Sequence, residues 1–336
     1  MTTRAVPTTY ANQPSAPAPG TGRRVLRAVA LAATAPYLTL KSAWLAGSHV
    51  GIPDGSVLRE PGLYFTVANS VTLAMDACVI LLVLVLTRPS GIRFPAWLLT
   101  VPVFVATGLL TPILLGFPGQ LLVRALGFGL EEATKAARAP FLDPWVFNVV
   151  YTGFTIQGLA LAGLFVPYAR ERWGRRWQGV LGPQVIPDGV RGRFPSSTGV
   201  VAGAAAAAGL AVAAVHAYWA FGGTAWLGAE RAAAYSAETA VVSAAHGLCA
   251  LAAGAGALLL ARGGKSRAWW PLGLAWIGAG ATLTWGTWML ITSLGPQVDG
   301  GEGPATATLL TYAGQMITGA LAAAVLTRFL ISRREV

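Results

Sequence analysis

Charge is scarce in this chain. Only 11% of its 336 residues are Asp, Glu, Lys or Arg, against about 25% in an ordinary soluble domain. That is too few to cover the surface of a large water-soluble fold. With 54% hydrophobic residues and a mean hydropathy of +0.59, the shortage excludes a soluble protein and points to a polytopic membrane protein. Lysine is rarer still: Lys41, Lys135 and Lys265 are the only three among 24 basic residues, the rest being Arg. Together with abundant Ala and Gly, this is the composition expected of a high-GC bacterial genome. Cysteine is limited to Cys78 and Cys249, both inside apolar runs, with no C-x-x-C. A disulfide framework, thioredoxin-like redox chemistry and the usual zinc spacings are therefore absent. A reactive thiol needs a positive neighbourhood, so both cysteines are expected to be small packing residues. No Walker A, Rossmann fingerprint, G-x-S-x-G, H-E-x-x-H or Asp-rich prenyl-diphosphate motif occurs. Neither cofactor nor metal is expected.

What the chain has in quantity is long apolar runs. A bilayer core needs about 20 apolar residues per helix. Eight stretches qualify: 25–47, 64–88, 95–117, 145–168, 198–222, 235–261, 269–293 and 305–330. Residues 1–22 are rich in Pro, Ser, Thr and Ala without hydrophobic period, and are expected to be a disordered cytoplasmic tail. Ala33-Thr34-Ala35 resembles a signal-peptide cleavage site, but the apolar run continues through Leu45, long enough to span. Between spans 3 and 4 the sequence predicts a short helix near 119–138 lying at the outer surface, with Glu131 and Lys135 spaced as an i,i+4 pair.

The net charge of +11 reflects topology and not nucleic-acid binding. With the N-terminus inside, the cytoplasmic segments carry 18 Lys and Arg and the outer loops carry 5, while Lys41 lies within a span. The positive-inside rule then gives N-in, C-in. The expected location is the plasma membrane, with clusters such as RERWGRRW in the basic linker 169–197 against anionic lipid headgroups. Beyond the bilayer itself, the partner expected is a small-molecule or lipid substrate.

The chain also repeats. KSAWLAG (41–47) aligns with HAYWAFG (216–222), and MDACVILL (75–82) with HGLCALAA (246–253). GFPGQ (116–120) aligns with LGPQ (294–297), and YTGFTIQGLALAG (151–163) with YAGQMITGALAAA (312–324). Four matches in the same order predict an all-α fold of two parallel four-helix repeats, 23–168 and 198–336. Four is an even number, so both halves enter the membrane in the same sense, related by an axis along the membrane normal. The second half, through His216, Tyr218, Trp219, Ala220, Gly222 and Gly223, resembles a family of uncharacterised actinobacterial membrane proteins with an H-x-Y-W-A-x-G-G signature. The resemblance implies a membrane helix bundle and no particular chemistry.

Ionisable residues inside spans are costly and therefore functional candidates. Asp76 lies about 12 residues into its span, on one face with Asn69 and Thr72 by i, i+3, i+7 spacing. Lys41 is its candidate partner, although a lysine can also snorkel to the interface. His216 takes the Lys41 position in the second half, next to Trp219. His246 takes the place of Met75, deeper than His216 by the count of residues. Two histidines could ligate a metal or haem, relay a proton, or be hydrogen-bonded structurally. Tyr151, Thr152 and Thr155 on span 4, and Tyr312, Gln315 and Thr318 on span 8, form polar stripes of the kind that glue membrane helices. Glu238 opens span 6 and is expected to face water. Most Trp residues fall at span ends, whereas Trp276, Trp285 and Trp288 are deeper and could floor a cavity.

Two functional classes stay open, with a blander third. One is transport or binding of a small molecule in a cavity between the repeats, lined by Asp76, Lys41, His216 and His246. Another is a membrane-embedded enzyme on a lipid or isoprenoid, with Asp76 as acid and His246 as base. The third is a structural or partner-binding membrane protein.

Overall fold

A computed structural model describes residues 20–59, 62–88, 95–128, 142–177, 179–182, 196–293 and 303–333. Within them, nine helices and one two-stranded ladder form. The helices are α1 (Thr21–Leu45), α2 (Leu63–Thr87), α3 (Ala96–Ala125), α4 (Pro144–Trp177), α5 (Ser197–Ala220), the short α6 (Ala229–Ala233), α7 (Ala237–Arg262), α8 (Trp269–Ser293) and α9 (Thr306–Ser332). Seven of them, α2, α3, α4, α5, α7, α8 and α9, are long and apolar enough to cross a membrane. α1 is as long as α2 but is diluted by Arg23, Arg24, Arg27 and Lys41 and falls outside that set.

Local chemistry sets the helix ends. Ser196 and Ser236 cap α5 and α7, their hydroxyls accepting from Gly199 N and Thr239 N. Gly263 takes a left-handed conformation (φ 67°) to stop α7. α3 holds Pro102, Pro112 and Pro118 and stays helical through all three. Proline removes one intrahelical bond each time, and neighbouring helices can satisfy the freed groups. Trp285 on α8 adds a bond beside such a break, its indole donating to Leu109 O at 3.0 Å, one residue past the carbonyl that Pro112 leaves without its usual donor.

Two boundaries differ from expectation. The helix expected to start at 119 is, up to Ala125, the continuation of α3. Its remainder, with Glu131 and Lys135, lies outside the described residues, as does the expected tail up to residue 19. The linker expected from 169 is helical to Trp177, because the Arg- and Glu-rich stretch continues α4 and Arg172 folds back onto the Tyr168 hydroxyl four residues earlier. The fold is also not purely helical. β1 (Val180–Gly182) pairs antiparallel with β2 (Gly264–Arg267), and Arg333 at the end of α9 donates to the carbonyls of Val180 and Leu181. This clasp ties three arginine-rich segments into one basic face.

The first four long helices pack as one group and the last four as another. In the first, α1 packs against α2 and α4, and α3 against α4. In the second, α5 packs against α7 and α9, and α8 against α7 and α9. The groups meet where α3 lies on α7 and α8. That seam is close-packed: a Cβ on Gly108 would collide with the Gly280 carbonyl. Phe104 and Trp276 meet edge to face at 5.1 Å. The Arg124 guanidinium grips the Glu238 carboxylate through two bonds of 2.5 and 2.6 Å. Glu238 is therefore an inter-helix tie and not a free solvated charge. Trp276 and Trp285 fill the seam instead of flooring a cavity.

α2 is the loosest of the long helices. It has few contacts with α3 and α4, and buries one stripe containing Asn69, Asp76, Leu82, Val83 and Leu86. Its other face, with Val67, Val71, Cys78 and Leu81, is exposed. Cys78 is thus on an outward face and not in packing. Cys249 is buried as expected.

Candidate functional site

The residues singled out from sequence form two clusters, one in each helix group. The first sits between α1 and α2, towards the face opposite the basic one. Lys41 Nζ donates to Asn69 Oδ1 at 2.6 Å. The same ammonium lies 5.0 Å from the Tyr37 ring centre and 5.2 Å from that of Trp44, inside the range of cation–π attraction. The helical repeat makes this possible, since Tyr37, Lys41 and Trp44 follow one another at i, i+4 and i+7 on one face of α1. Asn69 is fixed in turn by its amide donating to Phe65 O at 2.9 Å.

Asp76 is two turns further along α2. It is 5% exposed, and its Oδ2 has no hydrogen-bond partner. The ion pairs within 4.0 Å among the described residues are Arg59–Asp54 and Arg124–Glu238. The expected Lys41–Asp76 pair is therefore open: the lysine is engaged two turns away, on Asn69. Tyr37 meets Phe154 of α4 edge-on, ring centres 4.9 Å apart. Tyr151 on α4 is packed among Phe117, Phe147 and Phe154. Sequence reasoning missed Tyr37, and its i, i+4 spacing to Lys41 was the available signal.

The second cluster is uncharged in form. The Gln315 amide nitrogen donates to His216 Nε2 at 2.9 Å, leaving His216 Nδ1 and Gln315 Oε1 buried without partners. The His216 and His246 rings stack 5.5 Å apart, His216 meets Trp219 edge-on at 5.2 Å, and His246 meets Trp285 at 5.6 Å. The depth mismatch expected between the histidines does not occur. Gly247, ten residues into α7, lies against His216, four residues before the end of α5, so α7 begins beyond the end of α5, and Tyr235, just before it, reaches back to donate its hydroxyl to Trp219 O at 2.6 Å. Tyr312 is separate, its hydroxyl accepting from Arg231 at 3.2 Å. Among the described residues no three His, Cys, Asp or Glu side chains converge to hold a metal.

The H-x-Y-W-A-x-G-G signature has a local explanation. Trp219 donates its indole N–H to Ala225 O at 3.2 Å, Gly222 takes the left-handed turn (φ 94°), and Tyr218 lies over Gly223. The first half builds the same turn. Trp44 donates to Val50 O at 2.8 Å, also six residues ahead, and Gly47 has φ 88°. Further matches lie on α4 and α9. Gly153 and Gly314 face α1 and α5, and Gly158 and Gly319 face α3 and α8.

The two clusters share no hydrogen bond, ion pair or ring contact among the described residues. Asp76 and His246 thus do not assemble as an acid–base pair, and the four titratable residues do not converge on one cavity at the seam. Two surface cavities lie elsewhere. One, of about 580 Å³, is an apolar groove between α1 and α4 along Val29, Ala33, Pro36, Val149, Gly153 and Ile156. The other, of about 260 Å³, is lined by Arg23, Arg24, Arg27 and Thr87. Comparison with protein-family models, curated proteins and solved structures gives no match.

Proposed function

We propose that the chain is an integral membrane protein of the plasma membrane that binds or transports a small molecule at the α1–α2 polar cluster. In this reading α1 is an eighth span, and the two helix groups are parallel repeats. The basic face is cytoplasmic, against anionic headgroups, with both termini on that side. The matched Trp–carbonyl turns and the matched glycine pairs support the duplication. The arginine excess supports the orientation. The likeness of the His216–Gly223 stretch to uncharacterised bacterial membrane proteins belongs with the same proposal.

The observation that carries the functional reading is Asp76. A carboxylate deep in a helix bundle costs a few kcal/mol, and packing alone would satisfy both of its oxygens. Here one oxygen is left open while the nearest cation is bound to Asn69.

The test is water access. In a chain carrying Cys78→Ser and Cys249→Ala, Thr72→Cys and Asp76→Cys are exposed to a membrane-impermeant methanethiosulfonate in proteoliposomes, with Val50→Cys as the loop control. Modification at 72 and 76 from one side supports the reading. A labelled loop with no reaction at 72 or 76 from either side refutes it.

A further inference from the structure

The α1–α2 cluster has one resident cation and two seats for it. The outer seat is occupied: Lys41 lies against the Tyr37 and Trp44 rings and on Asn69 Oδ1. The inner seat is Asp76 Oδ2, buried and unpartnered. Asp76 lies two turns beyond Asn69 on α2, about 10 Å deeper. The flexible lysine stem can swing its head towards it, past the Tyr37 ring that already faces the ammonium at 5.0 Å.

We propose that the Tyr37–Trp44–Asn69 seat recognises a small organic ammonium compound, which displaces Lys41 onto Asp76. This rests on the reading of the cluster as a binding site. Two aromatic faces and one amide oxygen suit an alkylammonium head such as the one Lys41 places there. They do not suit a hard metal ion, which needs about six or more oxygens. The exchange adds one positive charge to the cluster: one cation enters and is held by the two rings and the Asn69 oxygen, while Lys41 keeps its proton and takes the Asp76 carboxylate as its counter-ion. The corresponding place in the second half has His216 for Lys41 and Gly247 for Asp76. His216 meets Trp219 and Gln315 there, and Gly247 lies against His216. One site per chain follows.

The experiment uses the full chain in phosphatidylcholine nanodiscs, titrated with ethylammonium chloride. Sodium chloride is the ionic control and ethanol the uncharged isostere, and the readouts are Tm and tryptophan fluorescence. The wild type is expected to show a saturable response to ethylammonium alone. Asp76→Asn removes the inner seat and is expected to weaken binding about tenfold or more, as is Tyr37→Leu, which removes one ring. Tyr37→Leu serves alone if Asp76→Asn does not fold. Lys41→Ala empties the outer seat and is expected to tighten binding about tenfold, the loss of a competing occupant. A wild type with no saturable response, or equal affinity in Asp76→Asn and wild type, overturns the proposal. If Thr72→Cys and Asp76→Cys are labelled while ethylammonium does not bind, the ligand class fails and the site survives. If neither is labelled, the site itself fails.

Discussion

A double-mutant cycle on Lys41 and Asp76 tests whether the two charges act as a unit. Placing a charge at the centre of a membrane helix costs about 3 kcal/mol on insertion scales. Opposite charges about 10 Å apart, the two-turn separation of Asn69 and Asp76 along α2, attract by about 1.7 kcal/mol at an effective dielectric near 20. Asp76→Asn removes both quantities at once and is expected to stabilise by about 1 kcal/mol. Lys41→Met also loses a hydrogen bond from a charged donor, worth about 1.5–3 kcal/mol, and strands the carboxylate. It is expected to destabilise by roughly 3–5 kcal/mol. The double variant has no stranded charge, so it should recover most of the Lys41→Met loss. The expected coupling is about 1–2 kcal/mol, because the half-buried lysine is partly screened. The assay is reversible unfolding in mixed micelles of rising dodecyl sulfate content, read by tryptophan fluorescence. A coupling below about 0.5 kcal/mol, the additivity limit for independent sites, would refute the interaction and with it the two-seat argument.

Three other outcomes follow from the geometry. Trp44→Phe and Trp219→Phe each keep the ring and lose one indole–carbonyl bond; each is expected to cost about 1 kcal/mol, and a several-fold difference between them in the same unfolding assay would argue against equivalent turns. Gly108→Val places side-chain atoms against the Gly280 carbonyl and is expected to cost about 1–3 kcal/mol or more, seen as a lower Tm and a broader elution peak in detergent; unchanged values would mean that the seam yields. Arg124→Ala removes a bidentate but half-exposed pair with Glu238, so a loss of at most about 1 kcal/mol is expected, and a larger one would make this tie a principal clamp between the helix groups.

The helices were legible because hydrophobic length is a strong signal and needs no partner to read. Their ends were less so. α3 stays helical through Pro118 to Ala125, and α4 continues into RERWGRRW because Arg and Glu form helix well outside the bilayer. The grouping of Asn69 and Asp76 on one face came from helical spacing alone. What the sequence could not supply was relative depth and rotation. The histidines looked offset because residue counts take the helix ends as level, whereas α7 begins beyond the end of α5 and brings His246 and Gly247 alongside His216. Lys41 was read as a partner for Asp76, or as snorkelling. Only the packing of α1 on α2 puts Asn69 Oδ1 within 2.6 Å of its ammonium. Glu238 was read as solvated because its partner lies 114 residues away.

The contrast between the two clusters bears on how such a protein would work. If the halves descend from one four-helix unit, the turn built by Trp44 and Trp219 is the shared frame, and whatever sits one turn before it is free to vary. In one copy that position is a lysine with a carboxylate further in; in the other it is a histidine held by Gln315, with Gly247 facing it. The neutral copy belongs to the more closely packed half, where α5, α7, α8 and α9 contact one another extensively. The charged copy belongs to the half where α2 has little hold on α3 or α4. A charged pair that must exchange partners needs a helix that can shift, and local looseness is where low-energy motion is found. His216→Lys with Gly247→Asp would install the charged pair in the rigid half. The expected result is a second cluster that forms but does not exchange: folding retained at reduced Tm, and ethylammonium binding still at one site per chain. Two equivalent sites would show that residue identity alone, without the loose helix, is sufficient.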